Sequence, residues 1–289
     1  MNNSDFSRRS LLKLAAALPV ASGAALLNAA EPQPKILPFN KFTDQEEIAY
    51  GDQWAANYNN HVSIINVKIL TDYINSLVGK LSKVSMRPNM PYRALVVNSA
   101  VVNAYSFMGG HVWVNRGLLE NITNEADLAA VVGHEIGHVV GHHSANLVAA
   151  IIEAQGLWNK LKQSGATQNA QVQAIIQQLA PLIKIAQMKY SRDNEFEADM
   201  HGFYEVLRSN YDPNGFIRVF ELLQKISGDP GSVWQRLQAS HPPAADRLAR
   251  VRQEMTQVQM PSHPTTDSLS FKAMKLALRA LPPAPKSDN

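Results

Sequence analysis

The chain of 289 residues contains no cysteine. Disulfides, thiolate metal ligands and a lipid-bearing N-terminal Cys are therefore excluded, and any bound metal must be held by His, Asp or Glu. Charge excess is missing as well. The formal net charge is +3, and Arg8, Arg9 and Lys13 against Asp5 carry +2 of it within the first thirty residues. So nearly neutral a remainder implies no nucleic-acid-binding surface. Long apolar runs are absent: the Ala-rich stretch 14–27 is short for a bilayer span, and 175–185 is shorter still, interrupted by Pro181 and Lys184. The latter reads as core or as a lid over a cleft. No internal repeat is found, so a helical-repeat module is not expected.

What is present is a globular composition, 45% hydrophobic and 18% charged, long enough for one core with appendages. The N-terminus carries Ser7-Arg8-Arg9-Ser10-Leu11-Leu12-Lys13, a twin-arginine pattern, followed by the apolar stretch and the small residues Asn28-Ala29-Ala30. Residues 1–30 read as a signal peptide cut after Ala29 or Ala30, which directs a folded protein to the periplasm and leaves no stable membrane span. A Pro-rich segment then makes 31–42 a linker. Residues 43–258 form the main domain, and 259–289, Pro-rich and weakly patterned, a C-terminal tail.

Within the main domain, Thr43-Asp44-Gln45-Glu46 has the form of a capping box and opens a helix to about residue 58. A second helix is expected over 63–83, with Ile65, Leu70, Tyr73, Ile74, Leu77 and Leu81 as its apolar stripe. The pattern turns strand-like over 92–98, 103–107 and 111–115, with Gly109-Gly110 as a tight turn. Thr123-Asn124-Glu125 then starts a long helix reaching residue 150. Helical pattern continues over 151–190, interrupted over 163–169 and bent at Pro181, and again over 191–208, 213–226 and 243–255. The expected fold class is α+β, mainly α-helical, with a small β-sheet packed beside the helix that starts at residue 123.

That helix carries His134-Glu135-Ile136-Gly137-His138. Positions four apart on an α-helix lie about 40° apart around the axis and one turn above each other. His134 and His138 can thus aim two imidazoles at one ion, with Glu135 beside them to take a proton from a water that the ion acidifies. Ala129, Ala130, Val131, Val132, Ile136, Val139 and Val140 make the helix core-like, and a buried helix does not carry two His and a Glu without partners. A catalytic zinc usually takes a third protein ligand. A His ten positions after His134 would serve, but that position is Ser144, while His142 and His143 fall too early. Glu195-Phe196-Glu197-Ala198-Asp199 on a later helix supplies the alternative. Glu195 and Asp199 share a face and Glu197 points about 200° away from Glu195. Glu195 is therefore read as the third ligand of one Zn2+ per chain, and Asp199 as a carboxylate that orients a ligand His.

These motifs resemble the zinc peptidases that include HtpX, the Ste-type CAAX prenyl-peptidases and periplasmic BepA-like and LoiP-like proteases. The resemblance covers 43–255 and rests further on Ser240-His241-Pro242-Pro243 with Arg247 downstream, and on Asn103-Ala104-Tyr105 leading into Gly109-Gly110-His111-Val112-Trp113-Val114. It implies a zincin-type metallopeptidase over 43–258, a zinc-dependent endopeptidase with Glu135 as catalytic base and then acid. It places His241 near the metal, either stabilising the tetrahedral intermediate as a catalytic residue or occupying the open zinc position as a latch. Arg247 either pairs with a carboxylate of the site or packs against the fold. Val112, Trp113 and Val114 are read as a peptide-binding edge strand, the alternative being a core strand with Trp113 buried; His143 is read as a hydrogen-bonding residue of the fold. The implied substrates are polypeptides, misfolded or outer-membrane proteins, in envelope protein quality control. The alternative function is a chaperone-like envelope assembly factor with a latched zinc site. Departures from the family are the absence of the membrane spans of HtpX and the prenyl-peptidases, of the helical-repeat domain of BepA, and of the lipid-anchoring Cys of LoiP.

Overall fold

A computed structural model describes residues 31–38, 40–163, 191–225, 237, 241 and 245–285. The signal segment, the 164–190 stretch with its expected bend at Pro181, and Ser240, Pro242 and Pro243 lie outside the described residues. In chain order the elements are α1 (Asp44–Asn59), α2 (Lys68–Ser82), β1 (Arg93–Val97), β2 (Ala104–Phe107), β3 (His111–Asn115), α3 (Arg116–Asn121), α4 (Glu125–Val140), α5 (His143–Gln163), α6 (Arg192–Arg208), α7 (Asn214–Lys225), α8 (Ala245–Met255) and α9 (Leu269–Arg279). This is the expected mainly helical α+β architecture with one small sheet.

The capping box forms as its sequence predicts: the Thr43 hydroxyl accepts the Glu46 N–H, and the Glu46 carboxylate accepts the Thr43 N–H at 2.8 Å. The stripe of α2 enters the core through Leu70, Tyr73, Ile74, Leu77 and Leu81. That helix starts at Lys68 rather than residue 63, because the β-branched run before it pairs with the sheet, Ile64 bridging Val97 and the Ile65 N–H reaching the Val96 carbonyl at 2.8 Å.

The sheet order is β1-β3-β2, with β1 parallel and β2 antiparallel to β3. Gly109 and Gly110 turn β2 into β3 at φ +81° and +82°, a region that favours glycine. Every residue of β3 is buried. The peptide-binding edge expected of Val112, Trp113 and Val114 is therefore corrected: both sides of their strand are already hydrogen-bonded to neighbours, so no peptide can add there, and Trp113 is core. The outer strand on the side of α4 is β2, which packs along that helix.

α4 and α6 cross with their backbones in contact. A Cβ on Gly137 would lie 2.4 Å from the Ala198 carbonyl oxygen, and one on Gly202 would lie 2.6 Å from the His134 nitrogen. Side chains any larger would push the two helices apart, and the carboxylates of α6 could not reach the imidazoles of α4.

Three further expectations change. The helix expected to run through the His motif to residue 150 breaks after Val140: Gly141 ends it, His142 takes φ +55°, and α5 restarts at His143. The segment read as a linker is a strap hydrogen-bonded to the domain, in which Asn146 of α5 donates to the Lys35 carbonyl and accepts from the Leu37 N–H and the Asn40 amide. The segment read as a tail contains α9, whose Phe271, Met274 and Leu278 are buried against α2 and α3. Their i, i+3, i+7 spacing is helical, but three residues in a Pro-rich setting give a weak period.

Candidate active site

Every residue of α4 is buried, so its polar side chains must find partners inside the protein. Ser191 and Asn194 cap the start of α6, which lays Glu195 and Asp199, both buried, along the same side of α4. His134 Nε2 lies 3.0 Å from His138 Nε2 and 3.1 Å from His241 Nδ1. The Glu195 carboxylate lies 3.4 Å from both His134 Nε2 and His138 Nε2 and 3.3 Å from His241 Nδ1. Two ligands of one tetrahedral zinc ion, with bonds of 2.0–2.1 Å, stand about 3.3 Å apart. The four donor groups have the spacing that a single ion requires.

Charge points the same way. Asp199 Oδ1 stands 2.9 Å from His134 Nδ1, and since a carboxylate only accepts, Nδ1 carries a hydrogen and Nε2 is the nitrogen that faces the cluster. Burial raises the Glu195 carboxyl, but the hydrogen bond and charge of His134 outweigh it and hold the group below the ordinary carboxylate range. Asp199 is likewise held low against burial, chiefly by Arg247. Burial alone would lower His134; the carboxylates of Asp199 and Glu195 overcome it and raise the imidazole to about 10, whereas burial drives His138 well below the usual histidine value. Two buried carboxylates thus share one guanidinium and one imidazolium proton, a proton that a divalent cation can displace. Glu195 Oε1 has no hydrogen-bond partner among the described residues. The donor set fits a metal ion.

Arg247 resolves its two readings in favour of pairing. Its Nε and Nη2 grip the two oxygens of Asp199 at 2.7 Å each, and Nη1 lies 2.9 Å from Glu195. Glu135, 1% exposed, stands beside the cluster with Oε1 3.3 Å from His241 Nε2. The Ser106 hydroxyl of β2 lies 3.0 Å from Glu135 Oε2 and 2.8 Å from the Glu135 carbonyl oxygen, and its one proton can serve either. The Asn115 N–H bonds to the Asn103 carbonyl, so by the alternation of an antiparallel pair Ala104 and Ser106 direct their backbone groups away from β3.

His134, His138, Glu195 and His241 are therefore brought together, with Glu135 at their side and Asp199 and Arg247 behind them. Ser106 is a site residue that sequence reasoning misses: a single Ser in a short strand carries no pattern. Glu197 does point away from the cluster, yet it is only partly exposed and bonds to His143 and to the Lys35 N–H. Its place in an acidic run is its only signal in the sequence.

A helix-borne His-Glu-x-x-His joined by a Glu from a later helix, beside a short outer strand, defines a metallopeptidase of the zincin type. The chain belongs to peptidase family M48, whose sequence profile matches residues 68–255. It is similar to the β-barrel assembly-enhancing protease of Yersinia pestis (30% identical over 242 residues, 81% of this chain and 48% of that protein) and to that of Escherichia coli strain K12 (28% over 222 residues, 74% and 45%). It is also similar to metalloprotease YcaL of Escherichia coli strain K12 (32% over 166 residues, 56% and 61%). The chain spans about half the length of the assembly-enhancing relatives.

Proposed function

We propose that the protein is a zinc-dependent endopeptidase of the bacterial periplasm, exported through its twin-arginine signal, that hydrolyses misfolded or outer-membrane polypeptides. The observation that carries this reading is the convergence of His134, His138, Glu195 and His241 within 4.8 Å, with Glu135 beside them. Support for the substrate class comes from relatives named for enhancing β-barrel assembly, and for the compartment from Ser7-Arg8-Arg9 and the apolar stretch behind it. No helix of the described residues is long and apolar enough to cross a membrane.

His134, His138 and Glu195 would hold the zinc, which when bound supplies a Lewis acid for water and for the scissile carbonyl. Glu135 takes the proton of the attacking water and returns it to the leaving amine, a role typically worth 10²–10⁴-fold in rate. Ser106, 3.0 Å from Glu135 Oε2, is placed to donate to that carboxylate. Asp199, itself clamped by Arg247, keeps the His134 lone pair turned inward. An extended substrate would pair with the outward backbone groups of β2. A small apolar pocket lined by Val131, Phe216, Val219, Phe220 and Leu237 opens beside Glu135 and would take an apolar side chain.

His241 stands at ligand distance from His134 and Glu195 and within 3.3 Å of Glu135 Oε1, where water and the scissile carbonyl must enter. This favours the latch over the oxyanion donor in the arrangement seen. With a latch, His241→Ala raises hydrolysis of an unfolded substrate by the zinc-loaded protein; with an oxyanion donor, the same substitution lowers it, typically by 10²–10³-fold. The assembly-factor reading makes a different prediction: a Glu135→Gln protein would still rescue the phenotype of a deletion strain.

A further inference from the structure

The two histidines of α4 are oriented by different means. His134 meets Asp199 directly. His138 Nδ1 meets another imidazole, His143 Nδ1, at 2.8 Å, and only one proton can lie between two such atoms. The far side of His143 decides which ring supplies it. His143 Nε2 lies 3.3 Å from Glu197 Oε2, and the carboxylate can only accept, so Nε2 carries the hydrogen. A neutral His143 then has an unprotonated Nδ1, which must accept from His138 Nδ1–H. His138 in turn keeps an unprotonated Nε2, turned to His134 Nε2 and Glu195. The three residues form a relay that sets the tautomer of His138 from a carboxylate two rings away.

The relay is braced from outside. The Lys35 N–H donates to Glu197 Oε1 at 2.9 Å, and Asn146 of α5 holds the same strap by three hydrogen bonds. The break at Gly141-His142 makes the arrangement possible: it folds the chain back so that the His143 ring stands edge-on to that of His138, 5.0 Å between centroids. A helix continued through residue 143 would carry that side chain about 7.5 Å along the axis and about 140° around it, off the face of His138.

We propose that His143 and Glu197 are positioning residues for the metal ligand His138, with the strap residues Lys35, Leu37 and Asn40 as their outer brace. The inference rests on the metal-centre reading above and adds residues that no motif of the pentad contains. An orienting partner behind a ligand imidazole is worth roughly 10–100-fold in metal affinity.

The test is zinc affinity of the full-length protein by competition with a chromophoric chelator, alongside urea unfolding of each metal-free variant. His143→Leu cannot accept from His138, and Glu197→Leu leaves the His143 Nε2–H without its acceptor. Both are expected to bind zinc 10–100-fold more weakly than wild type. His143→Gln can accept from His138 through its carbonyl and donate to Glu197 through its amide, and it is expected to keep wild-type affinity within about threefold, roughly 0.65 kcal/mol. A purely structural role would move the urea midpoints and leave zinc affinity of the folded variants unchanged, which overturns the proposal. So does a His143→Gln protein as weak as His143→Leu. If His143→Leu does not fold, Glu197→Leu with His143→Gln decides the matter alone. A wild-type protein that binds no zinc sinks the metal-centre reading itself, an outcome distinct from equal affinities in wild type and variants.

Discussion

At the level of single residues, the site is legible where chemistry repeats at helical spacing. His134 and His138 are one turn apart, as are Glu195 and Asp199, so each pair announces a shared face from sequence spacing alone. Ser106, Lys35 and Asn146 announce nothing, because their roles depend on where a strand and a strap happen to pass. Glu205 shows a different kind of residue-level consequence. It is fully buried, neither carboxylate oxygen has a hydrogen-bond partner among the described residues, and burial together with the Glu31 charge pushes its pKa well above the ordinary range, against the pull of Arg208. A carboxyl with a raised folded pKa keeps its proton after the unfolded chain has lost it at about 4.3. Stability therefore falls as pH rises from that value to the folded pKa, by up to about 1.4 kcal/mol per unit. Glu205→Gln is neutral at every pH. Its melting temperature relative to wild type is expected to climb between pH 5 and pH 8, and a constant difference across that range would contradict the assignment.

Among the elements, the capping box of α1, the apolar stripe of α2 and the glycine turn between β2 and β3 are legible in the sequence. Pairing partners are not foreseeable. Whether 111–115 is an edge or a central strand depends on which neighbours reach it, and the alternating pattern of an edge and the full burial of a centre are hard to tell apart in five residues. The break after Val140 escapes the pattern because a lone Gly141 is a weak stop signal and apolar residues resume at Ala145, Leu147 and Val148. α9 escapes it because only Phe271, Met274 and Leu278 carry its period. Those three residues make α9 part of the domain, and Phe271 packs on Tyr73 with ring centroids 6.0 Å apart. Phe271→Ala should cost about 3–5 kcal/mol in urea unfolding, the usual loss for a buried aromatic ring. A loss near zero would show that α9 is an appendage after all.

The molecule as a whole places a dense polar cluster inside an apolar crossing of two helices, where solvent cannot neutralise it. Gly137 and Gly202 allow the crossing, Asp199 and the His143–Glu197 relay orient the imidazoles, and β2 leaves backbone groups open along one side. On the proposed reading, each feature would serve a metal held between His134, His138 and Glu195, with Glu135 placed to move a proton. Glu135→Gln tests that claim most directly, since the amide keeps the shape of the carboxylate and loses its basicity. Zinc content and cleavage of an unfolded polypeptide are measured on the same purified sample. The expected result is about one zinc per chain with cleavage reduced by 10²–10⁴-fold relative to wild type. Cleavage at the wild-type rate with zinc in place would contradict it.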